Sequence, residues 1–398
     1  MGRDTEGVEF AGVISVTLAG PNSKKSLQFG VMILTHLRLI HWRNIASAAL
    51  ELRPGLTVFT GQNAQGKTNI LEGVHYLATA SSHRTRRDQE LIQWGESTAY
   101  IRGEITGSTT SRLVECGLEP GKRLLKRDGQ PLARVGDLYG TLCVALFAPE
   151  DLEIIQGSPE HRRRFLDVTI AQMQAGYVRL LQQYRRALRQ RNRVLRSLKM
   201  NGSHSEIPQL EVWDRSVANL GGQIAAARRA AIGKLGPILR EHYHGLAEQE
   251  SVEIGYESRS EGVLPTEIAD SILDLLRTHR HSDVERGSTG YGPHRDDITI
   301  TLDGRSVAVF GSQGQRRTSA LALRLSEAQL LAEECGEPPV LLVDDVIYEM
   351  DRERRGRFWT RVPENYQLLV TATDHRELAA ARECGGMFHV ENGSIRPA

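Results

Sequence analysis

Gly61-Gln62-Asn63-Ala64-Gln65-Gly66-Lys67-Thr68 matches the phosphate-binding pattern G-x-x-x-x-G-K-[ST]. The apolar stretch Leu56–Thr60 before it predicts a strand, and a helix is predicted over Asn69–Ala78 after it. In that context the glycines allow the backbone to approach a phosphate closely, and the N–H groups at the start of the helix bind its charge. We therefore predict an α/β P-loop fold that binds ATP through this loop. The alternative is a glycine-rich turn with an exposed lysine.

Two residues of this loop and a second, acidic motif are expected to carry the chemistry. Lys67 is expected to neutralise oxygens of the β- and γ-phosphates, and the Thr68 hydroxyl to bind Mg²⁺. The apolar strand Val340–Val343 ends at Asp344 and Asp345; we assign the first to Mg²⁺ and the second to the attacking water. An apolar strand followed by acids is common, and the phosphate-binding loop makes the functional interpretation specific. The predicted catalytic residues are Lys67, Asp344 and Asp345, with Thr68 and Asp344 at the metal.

The composition of the chain limits the class of protein. Its 398 residues are 40% hydrophobic, which is enough for a large core in two lobes. The 50 basic and 49 acidic residues nearly cancel, so the net charge indicates no partner. Apolar runs are too short for a membrane span, and the four cysteines form no C-x-x-C pair. We expect a cytoplasmic protein with no membrane partner and with neither a disulfide framework nor a structural zinc site.

Residues 1–31 differ from the rest of the chain. They are polar and contain glycine, and a strand-like alternation begins at Met32. We expect an N-terminal extension that is disordered or results from a start-site artefact. A strand over Val13–Leu18 is the alternative.

The period of the apolar residues divides the remaining chain into three parts. Residues 32–149 alternate as short strands, which predicts the first part of an ATP-binding lobe. Residues 150–284 have a helical period, with one long helix continuing through Tyr177 and a second from Trp213, paired as an αα-hairpin. Residues 285–398 return to strands and complete the lobe, so a helical arm lobe is inserted in an α/β head. Further predicted strands are Ala46–Leu52, Ala99–Ile105, Arg112–Leu118, Thr141–Phe147, Asp297–Leu302, Val307–Phe310 and Gln367–Thr371.

A serine-containing turn is a second candidate phosphate contact, besides the phosphate-binding loop. Ser312-Gln313-Gly314-Gln315 stands directly before a predicted helix with apolar residues at Leu321 and Leu325. By itself S-x-G-Q is an ordinary N-cap turn. Its position about thirty residues before Asp344 is the layout of ABC-type ATPases, in which the signature loop of one subunit closes over ATP held by another. Helix N-termini attract anions, so these four residues are predicted to contact the γ-phosphate.

Several strings of residues together suggest a family. Arg162-Arg163-Arg164-Phe165-Leu166-Asp167 and Gly292-Pro293-His294-Arg295-Asp296-Asp297 are more specific than the nucleotide motifs, which many ATPases share. With them, the chain from Met32 to the end resembles the RecF family of bacterial DNA-repair ATPases. The other matching segments are Leu39–Asn44, Gly61–Thr68, Phe147–Leu152, Ser312–Gln315, Asp344-Asp345 and Glu349–Asp351.

The resemblance implies a fold, an activity and partners. It implies an ABC/SMC-like head with a short helical arm, ATP-dependent homodimerisation, slow hydrolysis and binding of gapped or junction DNA. The implied protein partners are the RecR and RecO mediators, which help to load the RecA recombinase. It also places Arg43 and Asn44 at the nucleotide. The family's usual Asn-Phe is His41-Trp42 here, so we expect different stacking near the nucleotide.

One departure from common ABC ATPases affects the expected rate. Asp345 stands where Glu is usual and is one methylene shorter, so we predict poor positioning of water and slow turnover, as in a timer rather than a motor. Pro149-Glu150 stands where a Gln is common. Asp374 or His375 follows the strand Gln367–Thr371, where other ABC ATPases have a histidine that senses the γ-phosphate.

Clusters of basic residues are candidate contacts with DNA. Residues 160–199 contain eleven Lys and Arg and only two acids, whereas a solvated helix face, the alternative, usually mixes both signs. The sequence has no helix-turn-helix, zinc finger or RNA-recognition pattern, so contacts are expected mainly with backbone phosphates. The predicted DNA-binding residues are Arg84, Arg86, Arg87, Lys122, Arg123, Arg185, Arg186 and Arg189.

Two rival functions share these motifs. The nucleotide-binding subunit of a membrane transporter has the same loop, signature and metal strand, but places the signature roughly a hundred residues after the loop; here Lys67 and Ser312 are 245 residues apart. A non-catalytic module, in which ATP only holds a dimer together, is the second rival. The two acids Asp344 and Asp345 argue against it.

Overall fold

A computed structural model describes residues 30–108, 110–201, 207–247, 250–345, 352–373 and 384–398. Apart from its last two residues, the predicted extension 1–31 lies outside the described residues, as do Glu349–Asp351, Asp374 and His375. No helix within the described ranges combines the length and apolarity that crossing a membrane requires.

Strands and helices are numbered in chain order. The strands are β1 (Ile33–Trp42), β2 (Ile45–Glu51), β3 (Leu56–Thr60), β4 (Ala99–Thr106), β5 (Ser111–Glu119), β6 (Lys122–Arg127), β7 (Gln130–Pro131), β8 (Val144–Phe147), β9 (Val252–Glu257), β10 (Asp297–Leu302), β11 (Arg305–Ser306), β12 (Val340–Asp344), β13 (Leu368–Ala372), β14 (Cys384–Glu391) and β15 (Ser394–Pro397). The helices are α1 (Lys67–Thr79), α2 (Leu152–Gln156), α3 (Pro159–Met173), α4 (Tyr177–Asn201), α5 (Ile207–Leu246), α6 (Pro265–Thr278), α7 (Arg280–Arg286), α8 (Val307–Phe310), α9 (Gln313–Cys335) and α10 (Arg352–Arg361).

The head is built on a sheet with the strand order β15-β14-β3-β13-β12-β8, in which β14, β3, β13, β12 and β8 are parallel. Every residue of β3, β8, β12 and β13 is buried, because both faces of this part of the sheet are covered. Phe59 and Leu342 pack into the core that contains α1 and an antiparallel sheet with the order β2-β1-β4-β5-β6-β7. Val58 and Leu341 face the other way, into the core shared with α3, α5 and α9. Alternate residues of the same strands therefore join two cores.

The inserted helices form the predicted antiparallel hairpin. Arg191 of α4 pairs with Asp214 of α5, and Leu195 packs in one cluster with Leu210, so the two helices run in opposite directions. The prediction of one long helix through Tyr177 is wrong, because α3 ends at Met173 and α4 begins at Tyr177. Gly176 between them has a φ of +90°, in the left-handed region that a helix cannot use.

A small antiparallel sheet, with the order β11-β10-β9, joins the insert to the following segment. The predicted boundary between residues 284 and 285 lies between β9 and β10, which pair with each other over Val252–Glu257. Val307–Phe310, predicted as a strand, is one helical turn. Val309 and Phe310 remain exposed there, so the apolar run does not mark a buried strand.

Candidate functional site

The phosphate-binding loop connects β3 to α1, as the sequence predicts. Lys67 is the first residue of α1, and its Nζ donates hydrogen bonds to the backbone oxygens of Gly61, at 2.6 Å, and Gln62, at 3.2 Å. Gly61 and Gly66 have φ values of +148° and +114°. Both values favour glycine, and a Cβ on Gly66 would lie 2.6 Å from Oδ1 of Asn44. The loop is thus curled around the lysine, with the helix N-terminus opening into a cleft.

The acidic strand end meets the loop at Thr68. The Thr68 hydroxyl donates to Oδ1 of Asp344 at 2.8 Å, and the Thr371 hydroxyl donates to the same oxygen at 2.8 Å. Asp344 and Thr371 are paired residues of the adjacent parallel strands β12 and β13. Burial raises the pKa of Asp344, and the hydrogen bonds from Thr371 and Thr68 oppose that change.

Asp345 lies at the mouth of the same cleft with a φ of +51°. Its backbone N–H donates to the Thr371 hydroxyl at 2.9 Å, which fixes the left-handed turn after β12. Its Oδ1 is buried and has no hydrogen-bond partner among the described residues. Pro149, where many ABC ATPases have Gln, lines the cleft beside it. A carboxylate oxygen without a protein partner is available to hold a water.

The cleft has a volume of about 730 Å³, which is within the usual range for a small-molecule site. None of the residues Ser312–Gln315, all of which the structure describes, lines it. Residues of the chain that line it are Asn44, Asn63, Ala64, Gln65, Gly66, Lys67, Thr68, Asn69, Arg84, Pro149, Asp345 and Thr373.

The two predicted nucleotide contacts before the loop differ in position. Asn44 lines the cleft and donates to the Gln65 backbone oxygen at 3.0 Å. Arg43 instead forms a two-pronged ion pair with the fully buried Glu72 of α1, at 2.8 and 2.7 Å, so its guanidinium is turned away from the cleft lining. Trp42 is fully buried, and its Nε1 donates to the Asn69 backbone oxygen at 2.8 Å. Trp42 therefore packs against α1 and does not line the cleft.

The turn between β14 and β15 hydrogen-bonds to the phosphate-binding loop, a contact that the sequence analysis missed. The N–H of Gly393 donates to the Gln65 backbone oxygen at 2.9 Å, and the N–H of Asn392 donates to Oε1 of Gln65 at 2.7 Å. Asn392-Gly393 is a strong hairpin signal and could have predicted the turn between β14 and β15. Its contact with Gln65, 327 residues away, has no local signal.

The signature turn is a well-formed helix start. Ser312 accepts a hydrogen bond from the Gln315 N–H at 3.2 Å, and the Gln315 side chain accepts one from the Ser312 N–H at 2.7 Å. This reciprocal capping box begins α9 at Gln313. Ser312 and Gln313 are exposed, so the first N–H groups of α9 face outward rather than toward the chain's own cleft.

The structure separates the predicted DNA contacts into three places. Arg84 lines the nucleotide cleft, where its Nη1 donates to Asn69 Oδ1 at 2.9 Å. Arg123 is largely occupied within the head, where it pairs with Asp88 and stacks over the Tyr76 ring. The other predicted contacts are exposed and lie on the segment after α1, at the start of β6 and on α4: Arg86, Arg87, Lys122, Arg185, Arg186 and Arg189.

Arg191, one of the eleven basic residues counted over residues 160–199, is fully buried. Its Nε pairs with Asp214 at 2.6 Å and its Nη1 with Asp283 at 2.8 Å. Its spacing from Tyr184 and Leu195, both buried, places it on the apolar face of α4, a signal that could have excluded it. Within the described ranges no group of three or more His, Cys, Asp or Glu side chains could hold a metal ion.

Comparisons with known proteins agree with this geometry. Residues 36–198 match a family model described as an AAA domain. The DNA replication and repair protein RecF of Symbiobacterium thermophilum is 38% identical over 92% of this chain and 98% of its own length. That of Clostridium perfringens is 35% identical over 92% of this chain and all of its own. The chain belongs to the RecF family.

Solved structures extend the likeness to three dimensions. The recombination mediator protein RecF in the RecFOR pathway, with ATPrS, has a TM-score of 0.86 at 31% identity, covering 93% of this chain and 99% of that one. The same mediator with ATP gives the same TM-score. An Smc head domain from Pyrococcus furiosus has a TM-score of 0.53 at 13% identity, covering 92% and 96%, and shows the fold alone.

These findings confirm the predicted family and the predicted fold class, a P-loop ABC-type ATPase head with an inserted helical lobe. They give no support to the transporter subunit.

Proposed function

We propose that this RecF family member binds ATP with Mg²⁺ in the cleft and hydrolyses it slowly. The observation that carries the proposal is the meeting of Thr68 and Asp344 at 2.8 Å, directly beside the lysine loop. A hydroxyl and a carboxylate oxygen at one point are the protein ligands that Mg²⁺ has in P-loop ATPases. When bound, Mg²⁺ would neutralise charge on the phosphate oxygens.

The chain's own residues supply the remaining chemistry. Lys67 binds the β- and γ-phosphate oxygens in place of the carbonyls of Gly61 and Gln62, and the loop N–H groups hold the phosphates. The free oxygen of Asp345 orients the attacking water. Because an Asp reaches less far than a Glu, we expect slow turnover. Hydrolysis then limits the lifetime of an assembled state, as a timer does.

We further propose that two copies complete the site. The exposed N-terminus of α9, with Ser312 and Gln313 outward, supports a contact with the γ-phosphate of a second copy. ATP would then lie between the lysine loop of one copy and the signature of the other, so nucleotide binding and dimerisation would be linked.

The biological proposal follows from the relatives' names and the basic surface. Relatives are DNA replication and repair proteins and a recombination mediator of the RecFOR pathway. We propose that the ATP-bound dimer binds gapped or junction DNA through exposed arginines such as Arg86, Arg185 and Arg189. With RecO and RecR it would help to load the RecA recombinase.

Sedimentation velocity tests the composite site. The wild-type chain should be a monomer without nucleotide and a dimer with ATP, and a gapped duplex should strengthen the dimer. Lys67→Ala should lose ATP binding and dimerisation together. Asp345→Asn should keep ATP and accumulate the dimer while hydrolysis falls, whereas in a non-catalytic module it would change nothing. A wild-type monomer under every condition would reject the proposal.

A further inference from the structure

A second cleft lies between the head and the helical lobe. Its walls are the segment after α1, with Ser81, Ser82 and Thr85, and the facing sides of α3, α4 and α5. Its volume is about 600 Å³, comparable with that of the nucleotide cleft. Six arginines line it: Arg86, Arg123, Arg163, Arg164, Arg185 and Arg228.

Three of these arginines are neutralised by acids of the same cleft. Arg86 pairs with Glu160 at 2.6 Å, Arg123 with Asp88 at 2.5 Å and Arg228 with Asp167 at 2.9 Å. The other three, Arg163, Arg164 and Arg185, form no ion pair with any residue in the described parts of the chain. The lining therefore has six arginines against the three acids Asp88, Glu160 and Asp167, which is an excess of positive charge.

Two of the unmatched arginines are half-buried. Arg163 donates to the backbone oxygen of Asp296 at 2.7 Å, and Arg164 donates to that of Ser82 at 2.5 Å. A neutral carbonyl leaves the charge of a guanidinium uncompensated and most of its five N–H donors unused. Burial lowers the pKa of both arginines, and repulsion from Arg228 on Arg163 and from Arg86 on Arg164 adds to this effect. Attraction from acids, Asp297 for Arg163 and Glu160 for Arg164, opposes it only in part. Holding such charges together out of water is unfavourable unless an anion joins them.

We propose that this cleft binds backbone phosphates of DNA, with Arg163 and Arg164 at the base and Arg185 at the rim. The inference deepens the proposed function and rests on it. A polyanion is favoured over a single carboxylate because Arg86 also lines a second groove, where Arg87, Lys122 and Arg134 continue the positive surface. Successive phosphates of one polyanion can occupy both grooves at once. The guanidinium fork suits two phosphate oxygens.

The DNA cleft and the nucleotide cleft share the segment 81–88. Arg84 lines the nucleotide cleft, and Ser82 and Arg86 line the DNA cleft. Ser82 is fixed to α1, because its hydroxyl donates to the buried Glu72 at 2.5 Å. The two sites are thus joined by one short, anchored segment. Any change that ATP makes in the position of Arg84 would act on DNA affinity, and DNA would act on ATP affinity by the same factor.

The test measures binding of a gapped duplex to the full chain by fluorescence anisotropy over a series of salt concentrations, with and without ATP. Arg163→Ala, Arg164→Ala and Arg185→Glu should each weaken affinity about tenfold, the scale of one charge-assisted hydrogen bond. Each alanine variant should reduce the slope of log K against log salt by about 0.9. Arg277→Glu is the matched control for charge reversal, because Arg277 is exposed on α6 and does not line the cleft.

The outcomes distinguish failure of the cleft assignment from failure of the proposed function. Arg185 is exposed on α4 and hydrogen-bonds to no described residue, so its substitution does not endanger folding and keeps the test valid if Arg163→Ala unfolds. If the wild-type chain bound DNA and all three variants bound it equally well, the cleft assignment would be wrong and Arg185 would no longer be a proposed contact, but the proposed binding of DNA would stand. If the wild-type chain bound no DNA with ATP present, both would fail. Displacement of DNA by inorganic phosphate at constant ionic strength would assign the cleft to free phosphate instead and also overturn the proposal.

Discussion

Glu72→Gln should destabilise the head by about 3–5 kcal/mol, the loss expected when one member of a buried ion pair is neutralised. Glu72 is fully buried and accepts two hydrogen bonds from Arg43, at 2.8 and 2.7 Å, and one from Ser82. A glutamine keeps the shape but removes the charge, and its amide group faces the Arg43 donors. Arg43 is then left with an unmatched charge in a mostly buried position.

Urea denaturation measures this loss, followed by the fluorescence of the chain's four tryptophans, of which Trp42 is buried against α1. Glu90→Gln makes the same chemical change at an exposed pair with Arg87 and should cost about 0–1 kcal/mol. Arg43→Met combined with Glu72→Gln should recover about 1–3 kcal/mol, because the mostly buried charge of Arg43 is then gone as well; Arg84, whose Nη1 lies 3.6 Å from Glu72, is exposed and keeps its charge in water. Equal losses for Glu72→Gln and Glu90→Gln would refute the reasoning.

Three further predictions concern other parts of the head. Gly393→Ala should lower the free energy of unfolding by about 1–3 kcal/mol and weaken ATP binding, because the added methyl group would collide with the Asn44 backbone oxygen. Gly304→Ala is the control: Gly304 has a similar φ (+75° against +77°), but no atom lies near the added methyl group, so its loss in the same urea assay should be smaller. Burial lowers the pKa of His75 and His83 to about 3, helped by His83 at His75 and by Arg84 at His83, so at mildly acidic pH the unfolded chain binds protons that the folded chain does not. The urea concentration at the unfolding midpoint should therefore decrease as the pH is lowered from about 7 to about 5, and decrease less in His83→Leu; the same decrease in both would contradict this. The Sγ atoms of Cys143 and Cys335 are 3.6 Å apart, so diamide should join them in a disulfide that mass spectrometry detects in the wild type and in Cys384→Ser but not in Cys335→Ser.

The sequence predicts the head well where the motifs coincide with strand ends. The loop after β3 and the acids after β12 are both local patterns, and parallel strands place their carboxyl ends at one edge of a sheet. The pairing of Asp344 with Thr371 needed the order of the strands, which no local pattern contains. Thr371 was therefore missed as the second donor to Asp344, although its strand was predicted.

Basic residues are the least predictable part of the site, because a charge run in the sequence does not show which members find acids. Arg84 and Arg86 are two residues apart, yet one lines the nucleotide cleft and the other pairs with Glu160 across to the helical lobe. Arg191 stands in a run of exposed arginines and is fully buried. Only the position of acids such as Asp214, distant in the sequence, decides these cases.

The layering of the head bears on the proposal that a second copy brings the signature turn Ser312–Gln315 to ATP. α1 packs on one face of the parallel sheet and α9 on the other, since Leu71 and Leu325 belong to different cores. β3, which leads into the lysine loop, and β8, against which α9 packs, are three strand spacings apart, or roughly 14 Å. None of Ser312–Gln315 lines the nucleotide cleft that contains Lys67 and Thr68 of the same chain. This arrangement supports the proposed composite site, in which Ser312 of a second copy contacts the ATP bound at Lys67.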